Sequence, residues 1–285
     1  MNRRSGRLTV ALLLTLLGGC AHTPSNSELN QQARAMAGPA GLQHAYVDAG
    51  PFVLTSFYRI SRADQPLTVY IEGDGFAWRT RREPSLDPTP RKALGLALAT
   101  ADPAPNVVYL ARPCQVTPMA NNPRCTRTYW TDRRYAAEVI AAMDQALDHY
   151  AAQVPGQPIR LVGYSGGAAI AVLLAARRTD IASLRSVAGN LDMAEVNRLH
   201  KVSPMPGSLN AIDSARQVGA IPQIHYAGGD DRIVPPVIAQ RFASATAGHC
   251  AQVRVIQALD HEGDWARLWP ALLTDLPTCS PSRQP

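Results

Sequence analysis

The run Ile159-Arg160-Leu161-Val162-Gly163-Tyr164-Ser165-Gly166-Gly167-Ala168-Ala169-Ile170-Ala171-Val172-Leu173-Leu174 changes character at its middle. Its first residues form a short apolar strand (Ile159–Gly163). Its last, from Gly166 on, are small and apolar, as at the start of a helix buried on all sides, here expected over Gly166–Arg178. Between them stands Gly-x-Ser-x-Gly. Composition alone would place that pentapeptide in about one chain in ten of this length, so the setting decides its meaning. A strand entering it and a helix leaving it form a sharp turn that lifts Ser165 out of a sheet. The helix N-terminus then aims free N–H groups and partial positive charge at a nearby anion. No Walker lysine follows, which argues against a phosphate loop.

Moving outward, strand and helix patterns mostly alternate. His44–Asp48, Phe52–Ile60, Leu67–Ile71, Val107–Ala111, Leu184–Ala188, Ile221–Tyr226 and Val253–Ala258 read as further strands. Several are continuously apolar, as parallel strands covered on both faces are. Helices are expected near Arg91–Thr100, Asp132–Gln153, Pro235–Ala245 and Asp264–Leu273. In the second of these, Tyr135, Val139, Met143, Leu147 and Tyr150 recur on one face. Two early strands without a helix between them, then strand–helix repeats, predict one α/β domain. Its sheet has about eight strands, mostly parallel with an antiparallel start, and helices flank it.

A serine hydroxyl needs a base to take its proton. Of seven histidines, His261 alone follows the end of a late strand, on the sheet edge where Ser165 stands. It is the expected general base. The acid that orients it is sought after the strand Ile221–Tyr226, in Gly228-Gly229-Asp230-Asp231-Arg232-Ile233-Val234-Pro235. Position leaves Asp230 and Asp231 open, with Asp192 after the preceding strand a third candidate. Asp231-x-x-Val234-Pro235 resembles the acid loop of many α/β hydrolases, and that resemblance implies Asp231.

The order Ser165, Asp231, His261 resembles the α/β-hydrolase fold, and the resemblance covers most of the chain. It implies acyl transfer through an acyl-enzyme. Glu72-Gly73-Asp74-Gly75-Phe76 resembles the His-Gly oxyanion loop of such enzymes, with glutamate where histidine is usual. The resemblance implies oxyanion donors at Gly166 and at Asp74 or Gly75. Glu72-Gly73-Asp74-Gly75, Arg112-Pro113-Cys114-Gln115, Tyr129-Trp130 and Gly228-Gly229-Asp230-Asp231 also resemble a group of bacterial lipoproteins of this fold. That group implies a fold and a triad, and no particular substrate. A carboxylic ester is the expected substrate, with thioester or peptide next. A lipoprotein that binds without reacting is the alternative of another class. Tyr129 and Trp130 are expected to line the pocket or to pack in the core. The stretch Leu191–Ala220 is expected to form a small cap. No cofactor is expected, and no cluster has metal-ligand spacing.

At the N-terminus, Arg3, Arg4 and Arg7 precede an apolar run from Leu8 to Leu17. This is the layout of an export signal, too short for a comfortable permanent span. Leu17-Gly18-Gly19-Cys20 resembles the bacterial lipobox. It implies cleavage before Cys20 and acylation of its sulfur, with palmitate among the chains. The alternative is cleavage after Ala21 and a soluble product. The expected organisation is a signal over 1–19, a polar tether over 20–41 and the hydrolase domain over 42–285. Ala21 after the cysteine points to the periplasmic face of the outer membrane.

The 285 residues carry 28 basic and 22 acidic groups, a net charge of +6. Without the three signal arginines the net is +3, which gives no ground for a nucleic-acid partner. Arg79, Arg81 and Arg82 read as a solvated face, with an anionic substrate or lipid as the alternative. Five cysteines leave four once Cys20 is acylated. Export favours disulfides. On the expected fold Cys114 and Cys125 share the edge of Ser165, and Cys250 and Cys279 share the opposite edge. Cys114–Cys125 and Cys250–Cys279 are therefore the expected pairs.

Overall fold

The computed structural model describes residues 24–280. The expected signal peptide and Cys20 lie outside the described residues. Eight strands form one sheet: β1 (Gln43–Ala49), β2 (Phe52–Ile60), β3 (Leu67–Ile71), β4 (Asn106–Leu110), β5 (Ile159–Tyr164), β6 (Ile181–Val187), β7 (Gln223–Gly228) and β8 (Ala251–Ile256). Their order is β1-β2-β4-β3-β5-β6-β7-β8, and only β2 runs against its neighbours. The central strands β3 and β4 are buried at every residue, which explains their continuous apolar reading.

Among the described residues seven α-helices flank the sheet: α1 (Asn26–Ala37), α2 (Leu94–Thr100), α3 (Ala137–Ala151), α4 (Gly166–Ala175), α5 (Met193–His200), α6 (Pro236–Ala245) and α7 (Trp265–Leu272). Two apolar clusters result. One gathers α3, α4 and α6 with Val69, Ile71 and Leu161 of the sheet. The other gathers α1, α2 and α7 with Tyr70, Tyr109 and Val162. The sheet is the middle of three layers. Among the described residues no helix is long and apolar enough to cross a membrane.

Two expectations need correction. The tether predicted through Gly41 ends earlier, because Asn26–Ala37 is a helix with a Ser25/Glu28 capping box and with Leu29, Ala33 and Ala37 buried. The spacing i, i+4, i+8 gives only a narrow apolar stripe, which the polar composition hides. The helix predicted from Asp132 begins at Ala137 instead. Residues before it have other partners: Arg134 pairs with Asp74, and Asp132 accepts from the Gly207 N–H.

The stretch after β6 holds α5, capped by the Asp192 side chain, and a 3-10 turn at Ala211–Ser214. Ser208 and Leu209 bond back to Asp132 and Tyr135, which pins this stretch over the carboxyl ends of the strands.

Candidate active site

Ser165 stands between β5 and α4 with φ 49° and ψ −118°. A non-glycine residue rarely takes that conformation, and the strain persists only where the surroundings enforce it. They do so here. The Ser165 N–H donates to the Val187 carbonyl at 2.9 Å, and the Asn190 N–H donates to the Ser165 carbonyl at 2.9 Å. A Cβ at Gly163 would fall 2.3 Å from the Ala168 Cα, so the turn closes only with glycine there.

His261, after β8, reaches Ser165. Its Nε2 lies 3.0 Å from the Ser165 Oγ, and its Nδ1 lies 2.8 Å from Asp231 Oδ2. With the proton on Nδ1, His261 donates to Asp231 and accepts from the serine hydroxyl. All three side chains are buried. Asp231 Oδ1 accepts from the Ile233 and Val234 N–H groups at 2.8 Å each, so the carboxylate is fully engaged and fixed in direction. The His261 backbone is fixed as well. Its carbonyl accepts from the Tyr164 hydroxyl and from Trp265 Nε1, both at 3.2 Å.

The other two carboxylates stand apart from the histidine. Asp192 caps α5 through the Glu195 N–H and pairs with Arg241 at 3.0 Å. Asp230 is exposed on a turn. Among the remaining described histidines, His225 is buried in the sheet between Ser186 and Gln223, and burial lowers its pKa to about 3.

The loop after β3 faces the serine. A Cβ at Gly73 would lie 3.2 Å from the Ser165 Cβ. Glu72 is buried, and its carboxylate accepts from the N–H groups of Gly73, Gly95 and Leu96 and from the Tyr109 hydroxyl. Glutamate in the usual place of histidine thus anchors the start of α2 to this loop. Burial raises its pKa against the lowering effect of those donors. The Gly73 N–H is engaged by Glu72. Among the described residues the N–H groups of Asp74, Gly75 and Gly166 have no protein acceptor, and Asp74 and Gly75 line the same cleft as Ser165.

The side chain of Asp74 holds that loop. It pairs with Arg112 and with Arg134, the latter at 2.6 Å, and accepts from the Tyr135 hydroxyl at 3.0 Å. Burial would raise its pKa, but Arg134 and Arg112 outweigh that and hold the carboxyl well below the usual range. Gln115 adds a bond from Nε2 to the Gly73 carbonyl at 2.9 Å. Cys114–Cys125 closes the loop that carries Arg112 and Gln115, and Cys250–Cys279 closes the opposite edge, both as expected. Arg112-Pro113-Cys114-Gln115 stands out in the sequence, but its task, like the parts played by Arg134, Tyr135, Tyr164 and Trp265, has no local signal there.

The cleft over Ser165 has a volume of about 480 Å³. Arg91, stacked 3.6 Å over the Phe76 ring, and Ile233 form part of its wall. Lys92 and Glu262 pair at its mouth at 3.4 Å. Trp130 is packed in the core and donates to the Ser85 carbonyl, and Tyr129 packs edge-on to Phe52. Neither lines the cleft. Among the described residues no group of three or more His, Cys, Asp or Glu could hold a metal ion.

Known proteins match this chain by structure. No protein-family model and no curated sequence matches it. Est1E from Butyrivibrio proteoclasticus superposes with a TM-score of 0.56 at 15% identity, over 80% of this chain and 95% of its own. An alpha-beta serine hydrolase homologue from Coxiella burnetii gives 0.57 at 15%, over 82% and 97%. The esterase domain of a Rhodothermus marinus protein gives 0.55 at 13%, over 81% and 95%. At such identities the likeness carries the fold: this chain has the α/β-hydrolase fold.

Proposed function

We propose that this chain is a serine hydrolase of carboxylic esters, held at the bacterial cell envelope by a lipid on Cys20. The observation that carries the reading is the line Ser165–His261–Asp231, with both hydrogen bonds formed and all three groups buried. Asp231 keeps the His261 proton on Nδ1, which leaves Nε2 free to act as base. As Ser165 Oγ bonds to the ester carbon, its proton passes to Nε2. The carbonyl becomes an oxyanion held by the N–H of Gly166 and that of Asp74 or Gly75. One such donor contributes about 3 kcal/mol to transition-state stabilisation. The C–O bond then breaks, the alkoxide leaves with the proton from His261, and the acyl group stays on Ser165. Water repeats the sequence and frees the acid. Esterases and serine hydrolases among the structural neighbours agree with this chemistry.

The reading of the envelope rests on the signal layout and on Leu17-Gly18-Gly19-Cys20. Several acyl chains on one residue anchor firmly where a single chain does not.

Turnover tests the chemistry. The chain from residue 21 onward, which keeps every described residue, is offered p-nitrophenyl esters of rising acyl length, a thioester and a peptide anilide. Ester turnover that Ser165→Ala abolishes is expected. Faster cleavage of the thioester or anilide would reassign the substrate, and turnover surviving in Ser165→Ala would sink the mechanism.

A further inference from the structure

We propose that the sheet edge carrying Ser165 docks on a bilayer that bears anionic phospholipids, bringing the cleft to amphiphilic esters held there. The inference deepens the proposed function and rests on its reading of Ser165 and Cys20.

The first observation is where the chain leaves the fold. Helix α1 begins at the same edge as the site. Asn26 donates to Asp87 and Thr89 of the loop after β3, and Asn30 donates to the Val116 carbonyl of the loop after β4. Its other end lies by Ala40, at the far edge, where the Arg59 side chain donates to the Ala40 carbonyl. Cys20 precedes the cap residue Ser25 by five positions, a reach of at most about 18 Å. A lipid on Cys20 therefore keeps the site edge near the membrane.

The second observation is what that edge exposes. Beside the Ser165 cleft lies a cavity of about 870 Å³, lined in part by Trp78, Arg81, Arg82, His200, Lys201 and Val202. Arg81 donates to the His200 carbonyl at 2.9 Å, and His200 Nε2 donates to the Ile233 carbonyl at 2.8 Å. Two loops and the end of α5 thus join into one rim, and Ile233 also lines the Ser165 cleft. Large apolar side chains stand out on this edge: Trp78 is 40% exposed, Val202 44%, Ile233 52% and Leu86, next to the Asn26 partner Asp87, 69%. Cations lie among them, and among the described residues Arg82 and Lys201 have no ion pair. Exposed apolar groups set among basic ones suit a bilayer interface, where hydrocarbon takes the former and anionic headgroups the latter. A dissolved polyanion would satisfy only the cations.

Flotation with vesicles tests the docking. The chain from residue 21 onward carries Ser165→Ala, so binding is read without turnover. Two vesicle types are used, phosphatidylcholine alone and equal parts phosphatidylcholine and phosphatidylglycerol. Binding to the anionic vesicles alone is expected, with loss at high salt. Arg82→Glu with Lys201→Glu should weaken it at least tenfold. Arg177→Glu with Arg216→Glu, at the opposite edge, should not. Quenching of tryptophan fluorescence by brominated lipid should vanish in Trp78→Phe. No binding, equal loss in both double variants, or binding without quenching at Trp78 would overturn the docking; the last would indicate a polyanion site. Esterase activity without flotation would defeat the docking alone. Flotation without any esterase activity in the Ser165 protein would defeat the hydrolase reading alone.

Discussion

Each edge of the sheet carries a charged cluster, and the two are near mirror images in sign. At the site edge one carboxylate, Asp74, faces two cations, Arg112 and Arg134. At the opposite edge one cation, Arg178, faces three carboxylates, Asp144, Asp148 and Asp180. Exposure separates them. At the site edge no member is more than 19% exposed, whereas at the opposite edge Arg178 is 12% exposed but its three carboxylates are 30%, 64% and 40% exposed. A buried cluster fixes geometry at a cost in desolvation, while an exposed one adds little stability. Strain follows the same division. Five of the seven non-glycine residues with positive φ among those described, Cys114, Val116, Ser165, Ala188 and Ala258, follow the carboxyl ends of strands. The site edge is held in an unrelaxed shape by buried bonds, and the opposite edge simply closes the fold.

The largest effect expected from breaking this division is at the acid. Asp231→Asn should lower kcat by about 10³ to 10⁴, since the imidazole is left in the wrong tautomer. Asp192→Asn should leave kcat nearly intact and lower the melting temperature through loss of the charge paired with Arg241, since asparagine still caps α5. Full activity in Asp231→Asn with loss in Asp192→Asn would reverse the assignment.

Asp74→Asn removes the charge that two buried guanidiniums face. A loss of about 3 kcal/mol in stability is expected. Below the new melting point kcat should still be depressed, because the oxyanion loop loses its clamp. Normal kcat in the folded variant would mean that the cluster serves stability alone.

The disulfides allow a matched comparison. Replacing either pair with serine removes a loop constraint of about 3 kcal/mol in the chain-entropy picture. Loss of Cys114–Cys125 should also reduce kcat, since that loop carries Arg112 and Gln115. Loss of Cys250–Cys279 should leave kcat alone at temperatures where the variant is folded. Equal effects on kcat would erase the distinction between the edges.

Between the edges, His225 should govern part of the acid response. Its folded pKa of about 3 lies below the ordinary value of 6.5, so the unfolded chain binds the proton first as pH falls. Its contribution is complete above pH 6.5 and is lost as pH drops toward 3, with a slope of at most about 1.4 kcal/mol per unit. Denaturant melts across that window should show a shallower slope in His225→Gln. An unchanged slope would assign the acid sensitivity to other groups.

The smallest effect belongs to Arg178→Ala. A loss near 1 kcal/mol with unchanged kcat is expected. A clear drop in kcat would show that the opposite edge reaches the site.

Local patterns carried most of the fold into the sequence. All eight strands overlap the runs that placed them; the central ones are buried over their length, whereas β1 and β8 at the sheet margins are only partly covered. The elbow, the His261 loop and the Asp231 turn were legible for a related reason: each directly follows a strand end, so topology alone brings them to one edge. The Asp74 cluster was not legible. Asp74 and Arg134 stand 60 positions apart, in loops with no periodicity to announce them. Helix α1 was half legible: Ser25 and Glu28 spell a capping box, but its narrow apolar stripe reads as tether. Glu72 was legible as a departure, and its role as an anchor for α2 needed the structure.

The central claim is that Ser165 is a nucleophile activated by His261. A fluorophosphonate probe tests it most directly. The folded chain from residue 21 onward should gain one adduct by intact mass, mapped to the peptide holding Ser165, with none in Ser165→Ala and slow labelling in His261→Ala. No adduct on the folded protein, or equal labelling of Ser165→Ala, would contradict the account.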